Sequence, residues 1–207
     1  MRTRIKICGI TRETDAMAAA DLGADALGFI CWRQSARFIE PEAAGAIARA
    51  LPAFVMPVAV FVNPAVAEVE SVLAHVPLAM LQFHGEETPE FCEQFGRGYI
   101  KAARMRPGLD LIKYLTPFRS ACAWLVDAYH ESTYGGTGAA FDWDRVPPRL
   151  YRPLVLSGGL TADNVGEAVR KLQPRAVDVS SGVEAGKGIK DVAKIAAFIA
   201  GVRHADP

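Results

Sequence analysis

The alternation of short apolar runs with helical segments, repeated eight times, constrains the fold of this chain more than any other feature. The runs are rich in β-branched residues, and most are followed by apolar residues at helical spacing. Parallel strands need such crossover segments, so the alternation predicts a parallel sheet. The predicted strands are Arg4–Cys8, Ala26–Cys31, Val58–Val62, Ala79–Phe83, Tyr99–Ala103, Ala123–Asp127, Pro153–Ser157 and Ala176–Ser180.

Prolines and polar residues mark where the connecting helices begin. Pro41, Pro64 and Pro89 each stand at a position suited to a first helical turn, and Thr161 or Asp163 could cap the helix that follows. The segment after the sixth strand is rich in glycine, which favours a short or irregular helix there. The predicted helices are Thr11–Leu22, Pro41–Leu51, Pro64–His75, Pro89–Phe95, Thr161–Leu172 and Ile189–Val202.

A sheet of this kind is either open and doubly wound or closed as a (β/α)8 barrel. Eight strands favour the closed TIM barrel, an α/β fold, and 207 residues suit one such barrel with few insertions. No Ser/Gly-rich linker or charge run marks a second domain. We therefore expect a single compact domain over residues 1–207.

The parity of the strands predicts which side chains face the inside of the barrel. Successive residues of a strand point to opposite faces. On the first strand Ile5 and Ile7 share one parity, whereas Lys6 and Cys8 share the other. The set that includes polar residues has polar groups at the carboxyl end of the strand, which is where barrels of this kind have their active sites. The same pattern on later strands places Gln82, His84, Asp127, Asp178 and Ser180 at that end.

The charge balance and the cysteine pattern exclude several classes of protein. The 23 basic residues equal the 23 acidic ones in number, which provides no strongly basic surface for nucleic acid. The uncharged stretch from Ala50 to Ala67 contains three prolines and predicts no membrane span. The N-terminus lacks the apolar region of a secretory signal, and the four cysteines lack disulfide or zinc-ligand spacing. These features favour a cytoplasmic protein.

Two glycine-containing loops, after strands seven and eight, are typical of phosphate-binding loops. Gly158 and Gly159 precede a helix, and Ser181 and Gly182 follow the eighth strand. Small residues let backbone N–H groups approach an anion, and barrels of this kind commonly bind phosphate there. The two glycines could instead serve only a tight turn. We expect a small phosphorylated ligand, and no motif predicts a cofactor or a metal.

Cys8 and Asp127 end the first and sixth strands and are the candidate catalytic residues. As a thiolate, Cys8 could act as a base if cationic Lys6 or a helix N-terminus lowers the pKa of the thiol. It could also be a small buried hydrophobe. Asp127 follows an apolar run, a setting that suits a general acid, although its carboxylate could instead cap the next loop. An acid and a base at one barrel mouth predict proton-transfer chemistry.

Seven segments carry a resemblance to a known family over nearly the whole chain. They are Lys6–Ile10, Ser35–Arg37, Gln82–Gly85, Leu125–Asp127, Gly136–Gly138 with Phe141–Trp143, Gly158–Leu160 with Asn164, and Asp178–Glu184. The opening K-I-C-G and the closing D-V-S-S-G-V-E are the most specific. Together they resemble the phosphoribosylanthranilate isomerase family of tryptophan biosynthesis, with Ser35-Ala36-Arg37 where that family usually has S-P-R.

The resemblance implies an Amadori rearrangement of N-(5-phosphoribosyl)anthranilate to 1-(2-carboxyphenylamino)-1-deoxyribulose 5-phosphate. It implies that Asp127 protonates the furanose ring oxygen and that Cys8 then removes the C2′ proton. By the same resemblance, Arg37 would hold the anthranilate carboxylate with its guanidinium. The backbone of the two glycine loops, at Gly159, Ser181 and Gly182, would anchor the phosphate.

Lys6 and Asp178 are expected to pair across the neighbouring first and eighth strands, because buried charges need partners. Asp178 could also reach a sugar hydroxyl. Gln82, His84 and Asp142 are interpreted as groups that fix loops or support the site. Two other functions stay open, namely a phosphosugar epimerase or indole-forming synthase, and a barrel that binds its ligand without turnover. The sequence does not distinguish a monomer from a homodimer.

Overall fold

A closed barrel of eight parallel strands forms the centre of the computed structural model, which describes residues 2–76, 79–129 and 141–206. The strands follow one another around the barrel in chain order, and the first pairs with the eighth. The predicted TIM barrel is therefore confirmed. Its strands are β1 (Arg4–Cys8), β2 (Ala26–Ile30), β3 (Met56–Phe61), β4 (Met80–Phe83), β5 (Tyr99–Arg104), β6 (Ala123–Asp127), β7 (Leu154–Leu156) and β8 (Ala176–Val179).

Seven α-helices accompany the barrel within the described residues, and none of them is long and apolar enough to cross a membrane. Pro41 and Pro89 lie in the first turns of two of these helices, as predicted. The helices are α1 (Glu13–Leu22), α2 (Pro41–Ala50), α3 (Val66–His75), α4 (Pro89–Glu93), α5 (Leu111–Leu115), α6 (Val165–Leu172) and α7 (Val192–Ala205).

The predicted starts of α1, α3, α6 and α7 are too early by two to four residues. Pro64 precedes α3, whose first turn is fixed by the Glu68 carboxylate accepting a hydrogen bond from the Ala65 N–H at 2.7 Å. Neither Thr161 nor Asp163 caps α6. Instead the Asn164 side chain, at the N-cap position, accepts a bond from the Thr161 N–H at 2.8 Å. Side-chain acceptors beyond the predicted starts therefore hold the turns that open α3 and precede α6.

Two local elements were not predicted. Helix α5 begins because the Asp110 side chain accepts a hydrogen bond from the Lys113 N–H at 3.0 Å, a standard N-cap. Ile189–Lys190 was assigned to the last helix but forms strand β10, which pairs with β9 (Glu184–Gly186) in a hairpin. The glycine-rich segment Gly136–Gly138 lies outside the described residues.

The side chains of β1 alternate as their parity predicted. Ile5 and Ile7 belong to the large apolar core that also contains buried residues of the helices. Cys8 instead packs with Val58 and Val60 in a separate cluster inside the barrel. A further interior cluster consists of Ile100, Ala102, Leu125 and Val155. Apolar side chains therefore fill the barrel below its mouth.

Candidate active site

The carboxyl ends of the strands surround a cavity of about 520 Å³, open solvent included. Cys8 at the end of β1 and Asp127 at the end of β6 both line it, and each is about 95 % buried. Arg37, from the segment after β2, lines the same cavity. The structure thus brings together three candidate residues that lie far apart in the sequence. The other polar residues of the wall are Ser35, Gln82, His84, Ser157, Asp178 and Ser180.

A second cavity, formed by the two glycine loops, adjoins the first. Its wall contains the four predicted loop residues Gly158, Gly159, Ser181 and Gly182. The two cavities share Asp127, Ser157, Asp178 and Ser180 as wall residues. A ligand in the glycine loops would therefore extend directly toward Cys8 and Asp127.

The glycine loops require glycine for their own packing. Gly158 has φ +89°, and a Cβ there would lie only 2.5 Å from the backbone nitrogen of Ala128. A Cβ on Gly182 would overlap the carbonyl oxygen of Leu160. The glycines therefore do serve tight turns. Because they have no side chains, they also leave the backbone N–H groups accessible to an anion.

Lys6 and Asp178 form the predicted pair across β1 and β8. The Lys6 Nζ donates to Asp178 Oδ1 at 2.8 Å, and both side chains are buried. Burial lowers the pKa of Lys6, but the charge and the hydrogen bond of Asp178 outweigh it, so the pKa is raised above its ordinary value. Lys6 therefore remains an ammonium ion whose charge is largely matched by Asp178.

Lys6 lowers the pKa of Cys8 as expected, but the prediction that the thiol pKa falls below its ordinary value is wrong. Burial raises the pKa of the Cys8 thiol above its usual value, and Asp178 adds to this effect, whereas the opposing influence of Lys6 is too small to reverse it. The thiol is closely enclosed, because a Cβ on Gly28 of β2 would lie 2.6 Å from Cys8 Sγ. The free protein thus holds Cys8 as a neutral thiol at neutral pH.

Alkylation of Cys8 should therefore start at a higher pH than alkylation of an ordinary thiol. Only the thiolate reacts, and a raised pKa leaves less thiolate at any given pH, so the rate should rise with pH and level off late. Timed iodoacetamide labelling, with the Cys8 peptide quantified by mass spectrometry, measures this rate against free N-acetylcysteine. A rate that levels off at lower pH than the control would show that Lys6 dominates after all.

Arg37 is held by a buried network that the sequence did not predict. Its Nε and Nη2 donate to the two carboxylate oxygens of Glu184, each at 2.7 Å. Lys190 of β10 donates to the same carboxylate at 2.8 Å. Burial raises the pKa of Glu184, but the hydrogen bonds from Arg37 and Lys190 have the larger, opposite effect. The pKa therefore lies below its ordinary value. Glu184 is therefore a carboxylate that fixes the guanidinium at the cavity wall.

A chain of three polar side chains crosses the wall between β4 and β6. Gln82 Nε2 lies 3.0 Å from His84 Nδ1, and His84 Nε2 lies 3.1 Å from Asp127 Oδ2. The other carboxylate oxygen, Oδ1, accepts a bond from the Ala128 N–H at 2.9 Å. Asp127 thus accepts a bond from the loop that follows it, as the capping alternative predicted. It also contacts His84, for which the sequence predicted only a supporting role.

Several supporting residues were missed, and the sequence contained a signal for only some. Glu184 stands in the closing D-V-S-S-G-V-E segment and could have been named as a partner for Arg37. Gly28 and Lys190 carry no motif, because their roles arise only from contacts with the neighbouring strand in the folded protein. Within the described residues, no group of three or more His, Cys, Asp or Glu is arranged to hold a metal ion.

Comparisons with known proteins agree with one another. The family model for N-(5'phosphoribosyl)anthranilate (PRA) isomerase matches residues 5–201. A protein named N-(5'-phosphoribosyl)anthranilate isomerase from Nitrosospira multiformis is 54% identical over 202 residues, covering 98% of this chain and 97% of its own. The fold and its mouth define a (β/α)8-barrel enzyme. The chain belongs to the phosphoribosylanthranilate isomerase family.

Solved structures give the same result. The phosphoribosyl anthranilate isomerase of Thermus thermophilus superimposes with a TM-score of 0.88 at 38% identity, covering 98% of this chain and 99% of that one. A second phosphoribosyl anthranilate isomerase superimposes with a TM-score of 0.84 at 39% identity and the same coverage. That second protein was crystallised with reduced 1-(o-carboxyphenylamino)-1-deoxyribulose 5-phosphate.

Proposed function

We propose that this chain converts N-(5-phosphoribosyl)anthranilate into 1-(2-carboxyphenylamino)-1-deoxyribulose 5-phosphate in tryptophan biosynthesis. The reaction is an aldose–ketose isomerisation by general acid–base catalysis. The observation that carries the proposal is the location of Cys8 and Asp127 on one cavity that shares its wall with the cavity of the glycine loops. The reduced product bound by a related chain supports the same substrate class.

The two ends of this substrate are anionic, and each end has a matching part of the cavity. Backbone N–H groups of Gly158, Gly159, Ser181 and Gly182 would bind the phosphate. Arg37, whose guanidinium Glu184 holds at the cavity wall, would bind the anthranilate carboxylate. Fixing both ends places the ribose between the acid and the base.

Asp127 acts first as the general acid. Its proton passes to the furanose ring oxygen, the C1′–O bond breaks, and the anthranilate nitrogen supplies the electron pair of the new C=N bond. Asp127 becomes a carboxylate, which the Ala128 N–H stabilises through Oδ1. Asp178, beside Ser157 and paired with Lys6, is placed to bind a sugar hydroxyl during this step.

Cys8 acts second as the base. Its thiolate takes the C2′ proton. The electrons of the C2′–H bond form a C1′=C2′ bond while the C=N pair returns to the anthranilate nitrogen, and the resulting enolamine tautomerises to the ketone. Burial raises the pKa of the thiol in the free protein. The cationic iminium formed by ring opening lowers that pKa, so the thiol gives its proton to solvent at the open cavity mouth and becomes the thiolate base.

Removing Arg37 should weaken binding of the reduced product analogue by about 1.5–3 kcal/mol, the worth of a charge-assisted contact. Titration calorimetry with Arg37→Ala measures the change. Arg33→Ala is the matched control, because Arg33 is an exposed arginine of the same segment, paired with Glu40. Unchanged affinity in Arg37→Ala would assign the carboxylate to another residue.

A fluorescence assay with freshly made phosphoribosylanthranilate tests the function itself. The anthranilate signal should decay faster with the protein than in buffer alone, because the isomerisation consumes the fluorescent substrate. A phosphosugar epimerase or a barrel that only binds would leave the background rate unchanged, and this outcome would refute the proposal.

The proposal includes three broader statements about the chain. Residues 1–207 act as one catalytic unit, since acid, base and both anion sites surround one barrel mouth. A cytoplasmic location fits the four free cysteines. The partner is the phosphorylated substrate, and sedimentation distinguishes a monomer from a homodimer.

A further inference from the structure

We propose that Gln82 and His84 form a positioning pair that directs the proton of Asp127 into the mouth cavity. The sequence suggested only a supporting or loop-fixing role for both residues. The inference rests on the proposed function, because it assigns a task within the acid step. It is carried by the hydrogen bonds of three buried side chains, Gln82, His84 and Asp127.

The contact between Gln82 and His84 sets the position of the imidazole proton. Gln82 Nε2 is an amide nitrogen, which donates hydrogen bonds and does not accept them. At 3.0 Å from His84 Nδ1, it requires Nδ1 to be an acceptor. The neutral ring therefore carries its proton on Nε2, the nitrogen that faces Asp127.

The imidazole proton in turn limits where Asp127 can hold its own proton. His84 Nε2–H donates to Asp127 Oδ2 at 3.1 Å, and the Ala128 N–H donates to Oδ1 at 2.9 Å. These two donors occupy one side of each oxygen and fix the carboxyl plane. A proton on Asp127 has to lie on one of the remaining lone pairs, away from both donors. Because Asp127 lines the cavity, this proton is available to a bound ligand.

The other tautomer of His84 would have the opposite effect. With the proton on Nδ1, Nε2 would be an acceptor, and the Asp127 proton would form a hydrogen bond to the imidazole. The acid would then hold its proton away from the furanose oxygen. With its Nε2 toward the ring, the Gln82 amide favours the tautomer in which Asp127 can donate to the substrate.

The backbone around His84 is fixed by a second buried pair. Lys101 Nζ donates to the Gly85 carbonyl at 2.7 Å and to Glu87 Oε2 at 2.6 Å. Glu87 also accepts bonds from the N–H groups of Gly85 and Asn63. The loop after His84 is thus held on both sides, which keeps the imidazole aimed at Asp127.

Kinetics of substituted proteins test the inference. His84→Leu should lower kcat for phosphoribosylanthranilate by about 10–100-fold, as for a misplaced catalytic group, with KM little changed. His84→Gln, which keeps an N–H donor, should recover most of the loss, and Gln82→Met should lower kcat by a smaller factor. In an Asp127→Asn background His84→Leu should have no further effect, because it acts through Asp127. Exposed His204→Leu and Gln94→Met are the matched controls.

The tautomer gives a readout that needs no activity. Nitrogen NMR of the imidazole in the unsubstituted protein should show the proton of His84 on Nε2, and Gln82→Met should shift it toward Nδ1. A proton on Nδ1 in the unsubstituted protein, or equal losses from His84→Leu with and without Asp127, would overturn the inference. A chain that fails to isomerise phosphoribosylanthranilate at all would refute the proposed function instead, and the spectrum would still decide the tautomer.

Discussion

Replacing Cys8 by alanine is expected to lower kcat by about 10²–10⁴-fold, with a much smaller change in KM. The substitution removes the only atom proposed to take the C2′ proton, and alanine offers no replacement base. Binding should persist, because the phosphate loops and Arg37 hold the two ends of the substrate. Initial rates at saturating phosphoribosylanthranilate measure the effect.

The control for this substitution is Cys122→Ala, which removes an exposed thiol and should leave kcat unchanged. Cys8→Ala with kcat near that of the unsubstituted protein would reassign Cys8. It would then be an apolar side chain that packs with Val58 and Val60 inside the barrel, the alternative that its surroundings also allow.

The barrel could be predicted from the sequence because two simple patterns agree. Apolar runs mark the strands, with β1 and β6 at their predicted bounds and the others within two residues. Parity on β1 separates Ile5 and Ile7 from Lys6 and Cys8. Since all eight strands are parallel, their polar ends meet at one mouth of the barrel. The sequence alone therefore predicts that the candidate site residues at these ends lie near one another.

Helix starts were harder to predict, because side-chain acceptors within one turn compete for the same backbone N–H groups. Thr161, Asp163 and Asn164 all have side chains suited to an N-cap. Only the structure shows that Asn164 occupies this position and that its side chain bonds the Thr161 N–H of the preceding turn. Ile189 and Lys190 suit a helix by local pattern. They form a strand instead, because the Lys190 side chain pairs with Glu184 inside the protein.

The electrostatics of the site could not be predicted from residue types alone. Lys6 next to Cys8 suggests a lowered thiol pKa, but burial raises the pKa of the thiol. The charge of Lys6 is also matched by Asp178, from the other end of the chain. Arg37 likewise meets Glu184 from 147 positions away. The pKa of each group depends on its burial and on charged neighbours from other parts of the chain, and both are known only once the chain is folded.

Replacing Asp127 by asparagine should also lower kcat by about 10²–10⁴-fold, because an amide cannot give a proton to the ring oxygen. Affinity for the reduced product analogue should change little, since that ligand needs no acid. Single-turnover rates and calorimetry with the analogue separate the two effects. Asp21→Asn, an exposed substitution of the same kind on α1, is the control and should leave both quantities unchanged.

The same substitution also tests how the carboxylate is held. Asp127 accepts one bond on each oxygen, from His84 and from Ala128, whereas asparagine has a single acceptor oxygen. One donor would therefore lose its partner at a cost of about 1–3 kcal/mol, unless Gln82 turns its amide oxygen toward His84 and the imidazole changes tautomer to accept from the new amide. A fall in kcat without a fall in the free energy of unfolding would indicate that tautomer change. Near-normal kcat would mean that the ring oxygen takes its proton from another group, and Asp127 would then be only the cap of its loop.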